Sequence, residues 1–464
     1  MNPLSLGQIA TFADGALFAG NAEAMVSRIS TDSRTLQPGD LFVPLRGENF
    51  DGHKFVQQAV ERGAVGAMVE ENWHGTTLAD FALIRVTDTL LGYQTLARNY
   101  RAALPLKVIA ITGSNGKTST KDFVAATLGR KFRVTKTEGN FNNHVGLPQT
   151  MLAANSDDEI AVWEIGMNHP GEIAALAKLA GPDVAIITNV GIAHIEFMGS
   201  REAIALEKGA LAEAVAANGT VILNADDPFS EEIAKRTSAK VIRAGIDNGS
   251  VRASDVRQSA TGSEFTILEG AHRCRAQLPV PGTHMVQNAM LAIAAGRAFG
   301  LSLEECAVGL ASTPLTKARL QIKEIDGIQF IDDSYNANPD SMKAALRTLI
   351  ELDADGRRIA VLGEMGELGD ESERGHREVG EAAAELEVDQ LISVGPAGAA
   401  IARAAQKAGL ENSVAVDSPE KAAELLGEHA SPGDLILVKG SRTARMERVL
   451  EAFAQRQSPE EVAP

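Results

Sequence analysis

From Leu106 onward, short apolar runs without polar alternation each lead into a stretch with helical spacing: LKVIAIT then DFVAATLGRKF, IAVWEIG then GEIAALAKLA, DVAIITNV then REAIALEKGALAEAVA, and TVILNA after these. Strands of a parallel sheet with both faces covered read this way, so the pattern predicts a doubly wound nucleotide-binding core. After Pro314 it restarts with IQFID, RRIAVLG, QLISVG and DLILVKG, each before an Ala- or Glu-rich helical segment. The first hundred residues instead mix DLFVPL, AVGAMVE and FALIRV with the turn signals QPGD and RGENFDG, which suggests a small α/β domain.

The expected fold class is α/β in three domains, at 1–104, 105–313 and 314–464, with Tyr100 to Pro105 as the first linker because a Pro before a fresh strand marks a boundary. The polar tail QRQSPEEVAP is expected to be disordered. A chain of 464 residues supports several cores, and 44% hydrophobic with 23% charged residues fits a packed globular enzyme. A formal charge of -17 and the lack of a basic, aromatic-interleaved run disfavour a nucleic-acid partner. No secretory layout opens the chain and no apolar run approaches a bilayer span, so no membrane insertion and a cytoplasmic location are expected. With only Cys274 and Cys306, a disulfide framework or a Cys-based metal site is not expected.

Directly after the first central strand comes ITGSNGKTST, residues 111–120. A Gly-rich turn between a buried strand and a helix aims backbone N–H groups and the helix dipole at an anion. Gly113 and Gly116 permit tight geometry around Ser114 and Asn115, Lys117 reaches toward phosphates, Thr118 offers a hydroxyl for Mg²⁺, and Ser119 follows in the first helical turn. The loop is shorter at its front than GxxxxGK[ST], with Ile111 where the first Gly of that pattern would stand. A plain turn with a solvated Lys is the alternative; the flanking strand and helix favour a phosphate.

Ligands of a parallel sheet gather at the carboxyl ends of its strands. Glu164 ends IAVWE, where it suits a Mg²⁺-holding carboxylate or a structural acid. His194 follows the next strand, either as an ordinary loop imidazole or within reach of the same ion. Lys208, in ALEKGAL, reads by periodicity as surface.

Together, ITGSNGKTST, EIGMN, NVGIAHIE, NADD and PGTHMVQNAMLAIAAG resemble the central ATPase domain of the Mur ligases. The likeness runs from about Ser30 to Arg448. Three further stretches resemble the member that adds a D-alanyl-D-alanine dipeptide: TEGNFNNHVGLP (137–148), DDSYNANPDSM (332–342), and GEMGELGDESERGH (363–376) with VKGSR (438–442). The resemblance implies ATP and two Mg²⁺ ions, and amide formation through an acyl phosphate. It places Lys117, Glu164, His194 and a carbamylated Lys208 at the catalytic centre, the last three with Thr118 as metal ligands. It places His284, Asn288, Arg319, Tyr335, Asn336, Asn338 and Pro339 at the nucleotide, and gives Asp333 either to Mg²⁺ support or to the domain interface. Tyr335 either stacks or packs. Where the family often reads Gly-Arg, this chain has Ala318-Arg319.

The first domain's ISTDSRTLQPGDLFVPLRGENFDGHKF resembles a uridine-diphosphate module, which gives Ser33 and Arg34 to the nucleotide sugar and the Gly47 to His53 turn to the pocket wall. Asn140, Asn142 and Asn143 are offered to the same substrate, and Lys439, Ser441 and Arg442 to the amine substrate or to closure. The implied partners are small molecules, a UDP-linked muramoyl tripeptide and D-alanyl-D-alanine, on a monomer. The DNPR motif expected for a diamino-acid substrate is missing from the last domain. Two rivals stand beside this ligase: a P-loop phosphotransferase, separable because it would give a stable phosphorylated product without an amine, and a nucleotide-gated binding protein, which the presence of Thr118, Glu164 and His194 argues against.

Overall fold

The computed structural model describes residues 1–75, 80–314 and 316–457. Three main sheets follow one another along the chain, with two short two-stranded pairings in the first segment. The first has five strands in the order Ala16–Ala19, Ala82–Val86, Gly66–Glu70, Leu41–Phe42, Ile29–Ser30, parallel except at its Ala16–Ala19 edge.

The central sheet has nine strands. Val134–Lys136, Ile160–Glu164, Lys107–Thr112, Val184–Ile187, Thr220–Asn224, Lys240–Gly245 and Val251–Ser259 run parallel, and an antiparallel meander through Gly262–Glu269 and His272–Leu278 completes it. The strand order reverses around Lys107–Thr112, the first strand of this region, which lies between the third and fourth. Such a switch point opens a crevice beyond the carboxyl ends of the strands. Register sets Ile111 beside Glu164 and Thr112 beside Ile187, so the loop after Thr112 and the tips of both neighbours share that crevice.

The third sheet has six strands, Gln321–Ile325, Ile328–Asp333, Leu435–Lys439, Arg358–Gly363, Gln390–Val394 and Ser413–Val416, parallel but for its first hairpin. Phe330, Ile436 and Val438 enter one core, while Ile331, Leu435 and Leu437 enter another on the opposite face. Burial on both faces is why these runs lack alternation. Phe330 is fully buried against Phe453, ring centroids 5.1 Å apart, so Phe330→Ala would cost about 3–5 kcal/mol.

Two expectations are corrected. Tyr100 is no linker: it lies in the helix Thr89–Ala102, 2% exposed, its hydroxyl accepting from Asn2 N and donating to Ala154 O, each at 2.7 Å. That helix packs on Gly146–Ala153 and Glu172–Ala180 of the central region, so the first junction is a packed surface. The tail begins as helix, Glu447–Gln457, because Met446, Val449, Leu450 and Phe453 present one apolar stripe to the third sheet; residues 458–464 lie outside the described residues.

Candidate active site

Gly113 approaches the next strand so closely that a Cβ there would collide with Thr188 Oγ1. Gly116 has φ 79°, caps the helix Lys117–Leu128, and leaves a Cβ only 2.6 Å from the Asn288 amide. Glycine is needed at both for these reasons. The turn is tied to Val184–Ile187's outgoing loop: Asn115 N donates to Asn189 Oδ1 (2.9 Å), while Thr188 Oγ1 (2.6 Å) and Asn189 Nδ2 (3.1 Å) donate to Asn115 O. Among the described residues the N–H groups of Lys117, Thr118 and Ser119 find no protein acceptor, the arrangement that binds phosphate at a helix start. Lys117 Nζ rests on Gly113 O at 2.8 Å; burial pushes its pKa down, with Glu164 opposing and Arg319 adding to the shift.

Glu164 is 3% exposed. Its Oε2 accepts from Thr118 Oγ1 (3.0 Å), its Oε1 from Asn142 Nδ2 (2.8 Å), and its own N–H donates to Thr137 Oγ1 (2.9 Å). A hydroxyl and a carboxylate meeting beside free helix N–H groups form the oxygen set a phosphate-bound Mg²⁺ uses, one or two protein oxygens completed by phosphate and water. No group of three or more His, Cys, Asp or Glu arranged to hold a metal ion exists among the described residues, and such a site does not call for one. His194 lies in the same crevice with its Nδ1 2.6 Å from Glu367 Oε2, off the hydrogen-bond direction.

Lys208 is not at the surface, as periodicity suggested, but 1% exposed. Burial drives its pKa well down and the Lys117 ammonium adds to this, with Glu207 opposing. Glu207 does not pair with it; its carboxylate caps the helix Glu172–Ala180 by accepting from Gly171 N (2.8 Å) and Ile173 N (2.7 Å). No hydrogen bond or ion pair reaches Lys208 Nζ among the described residues.

The crevice continues into a cleft of about 770 Å³ between the central and third sheets. Asn140, Asn142, Asn143, His284, Asn288, Arg319, Tyr335, Asn336, Asn338, Lys439, Ser441 and Arg442 all line it with the phosphate loop from Ser114 to Ser119, Glu164 and His194. The Arg319 guanidinium lies 4.3 Å above the Tyr335 ring, a cation–π contact within the protein. Arg319 Nε is buried without a partner among the described residues, a donor that a bound anion would satisfy. Ala318 takes φ 57°, the left-handed conformation that the family's Gly adopts freely. Burial pushes the His284 pKa down to about 4, with Asp333 opposing and Lys439 adding, so the ring is neutral at pH 7. Asn338 Nδ2 donates to Asn115 Oδ1 (2.7 Å), joining the third region to the phosphate loop.

Some expected contacts are already satisfied internally. Lys439 Nζ donates to Asp333 Oδ2 (2.5 Å) and Asn336 O (3.0 Å), which shapes the loop before Asn338. Asn143 Oδ1 accepts from Val145 N and Gly146 N, a turn-making role. Arg442 is exposed and pairs with Glu447 (3.2 Å), and Ser441 is buried with its Oγ 3.0 Å from Thr443 Oγ1. Gly113 and Lys208 sit behind the lining, and Ser33 and Arg34 are outside the cleft, Arg34 folded onto Asp32 at 2.8 Å. Sequence reasoning missed Arg201, Asp227, Asp340 and Glu367 of the lining. Asp340 and Glu367 stood in stretches already singled out, yet only the packing of the third region on the central one gives them a place.

This fold and crevice define a P-loop nucleotide-dependent enzyme of several α/β domains. The chain belongs to the Mur ligase family: the family's middle domain matches residues 111–296, its glutamate ligase domain 318–442 and its catalytic domain 25–85. UDP-N-acetylmuramoyl-tripeptide--D-alanyl-D-alanine ligase of Bacillus subtilis is 42% identical, over 92% of this chain and 93% of its own. The Escherichia coli protein of the same name is 36% identical, over 98% and 99%. Among solved structures, MurF from Acinetobacter baumannii superposes with a TM-score of 0.90 at 34% identity, covering 98% of this chain and 99% of that one. The MurF ligase of Thermotoga maritima in complex with ADP gives 0.84 at 29% identity, covering 93% and 97%.

Proposed function

We propose that this chain is the ATP-dependent ligase that joins D-alanyl-D-alanine to UDP-N-acetylmuramoyl-tripeptide, through domains at 1–104, 105–313 and 314–464. The observation that carries the reading is the convergence, in one cleft, of a phosphate loop, the Thr118–Glu164 oxygen pair and the third region's Arg319 and Asn338. The relatives' shared name supplies the two substrates.

A peptide carboxylate must approach a triphosphate of like charge, so charge offset and positioning are most of the catalysis. Lys117 and the N–H groups of Lys117 to Ser119 hold the phosphates, and Arg319 and the loop Tyr335 to Asn338 hold the nucleoside end beside His284 and Asn288. Thr118, Glu164, His194 and a modified Lys208 would hold two Mg²⁺ ions, which would supply the remaining positive charge. For Lys208 to serve it must be carbamylated: the neutral amine's lone pair forms an N–C bond to CO₂, one C=O π pair moves to oxygen, and a proton leaves. Its burial, with Lys117 as a like-charged neighbour, lowers its pKa well below the usual lysine value and so favours the neutral amine this chemistry needs. The carboxylate oxygen then bonds the γ-phosphorus as ADP leaves, and the dipeptide amine displaces phosphate from the acyl carbon.

Ser33, Arg34 and Asn140 are assigned to the UDP-linked substrate, and Ser441 and Arg442 to the amine. The test is phosphate release from ATP with UDP-linked tripeptide or dipeptide, each with D-alanyl-D-alanine or a diamino acid. Release should require the tripeptide and D-alanyl-D-alanine together; a stable phosphorylated product that accumulates without any amine, rather than a labile acyl phosphate, would instead make the chain a phosphotransferase.

A further inference from the structure

The loop that delivers His194 is held by two regions in succession. The central region grips its start: Val190 N donates to Asp227 Oδ2 (2.7 Å), Val190 O accepts from Arg201 Nε (2.7 Å), and Gly191 N donates to Ser114 Oγ (2.8 Å). Beyond Gly191 the partners come from the third region. Asp340 Oδ2 accepts from Ile192 N at 3.2 Å, and a Cβ on Gly191 would stand 2.5 Å from the same oxygen. Asp340 is fixed in turn, in the first turn of the helix Pro339–Glu351, whose cap Asn338 accepts from Ser341 N (2.9 Å) while bonding Asn115. On the other side Glu367 Oε2 lies 2.6 Å from His194 Nδ1, and Glu367 O accepts from Glu196 N at 3.5 Å. His194 itself has φ 62°, a left-handed conformation that non-glycine residues keep only when their surroundings impose it.

We infer that Asp340 and Glu367 are positioning residues for His194, so that docking of the third region completes the cation-holding set of the central one. Asp340 fixes the backbone two residues before the imidazole. Glu367 Oε2 stands 2.6 Å from Nδ1 and so occupies that side of the ring, which leaves Nε2 as the nitrogen open to a cation, the side on which outer carboxylates leave metal-binding histidines free. Neither carboxylate touches substrate in this role. The inference rests on the reading of His194 as a metal ligand.

The test uses the full chain with ADP, Mn²⁺ as the metal probe, and free Mn²⁺ read by electron paramagnetic resonance. Glu367→Ala and Asp340→Ala should each weaken Mn²⁺ binding to the ADP complex about 10-fold or more, leave metal-free ADP binding within about twofold, and lower kcat more than they raise KM for ATP. Asp340→Asn should restore Mn²⁺ affinity, because its amide oxygen still accepts from Ile192 N. Glu367 is half exposed, so its variant folds and decides the matter if Asp340→Ala does not. Parental Mn²⁺ affinity in Glu367→Ala, with affinity lost in His194→Ala, overturns the inference alone. Parental affinity in His194→Ala overturns the ligand reading of His194 and the inference with it.

Discussion

Lys208 and Lys439 are both buried, at 1% and 3% exposure, and burial lowers the pKa of each. Their surroundings differ. Lys439 has Asp333 at 2.5 Å and the Asn336 carbonyl at 3.0 Å, a counter-charge and a second acceptor inside one region. Lys208 has Lys117 for its main charged neighbour, and the adjacent Glu207 is committed to capping another helix. A buried ammonium with partners is architecture; one without them is costly unless it is neutral or modified. The comparison therefore sorts two lysines that sequence alone treats alike.

The largest expected effect lies beside this pair. Lys117→Ala removes the cation that both the phosphates and Lys208 face, and should lower kcat at least ~100-fold in a steady-state phosphate-release assay. Near-parental turnover would remove Lys117 from the chemistry. Next, Lys208→Ala should lose activity on a similar scale and regain part of it when short carboxylic acids are added, since they return the missing oxygen ligand. Lys439→Met should show no such recovery. It leaves Asp333 buried and unpaired, so denaturant titration should instead find a loss of ~3–5 kcal/mol. Carboxylate rescue of the Lys439 variant, or none for Lys208, would erase the distinction.

A smaller effect separates the groups around Lys439 by pH. The folded-state pKa of His284 is about 4 against 6.5, so the unfolded chain binds the extra proton between those values and stability falls as pH drops through that window. His284→Asn should flatten the fall by up to ~3 kcal/mol, read as melting temperature against pH. Smallest is Ala318→Gly, which relieves a left-handed alanine and should add ~1 kcal/mol; a loss instead would mean that chain entropy outweighs the local strain.

The strands buried on both faces were legible as unbroken apolar runs, and the phosphate loop as a Gly-rich turn in register with Lys117 and Thr118. Less visible was the meander through Val251–Ser259, Gly262–Glu269 and His272–Leu278, whose alternating, half-exposed pattern differs from the buried runs beside it. Its turns at Gly262 and Gly270, φ 137° and 58°, were the available signal. Lys208 could not be found by periodicity, because its helix carries polar and apolar residues on several faces and only the packed tertiary structure shows which is inside. Asp340 and Glu367 act across a junction between regions, and spacing along a chain carries no information about that.

Oxygen transfer tests the central claim most directly. With ¹⁸O in the tripeptide's terminal carboxylate, turnover with ATP and D-alanyl-D-alanine should place one labelled oxygen in the released phosphate, as capture of an acyl phosphate by an amine requires. Released phosphate free of the label would contradict it.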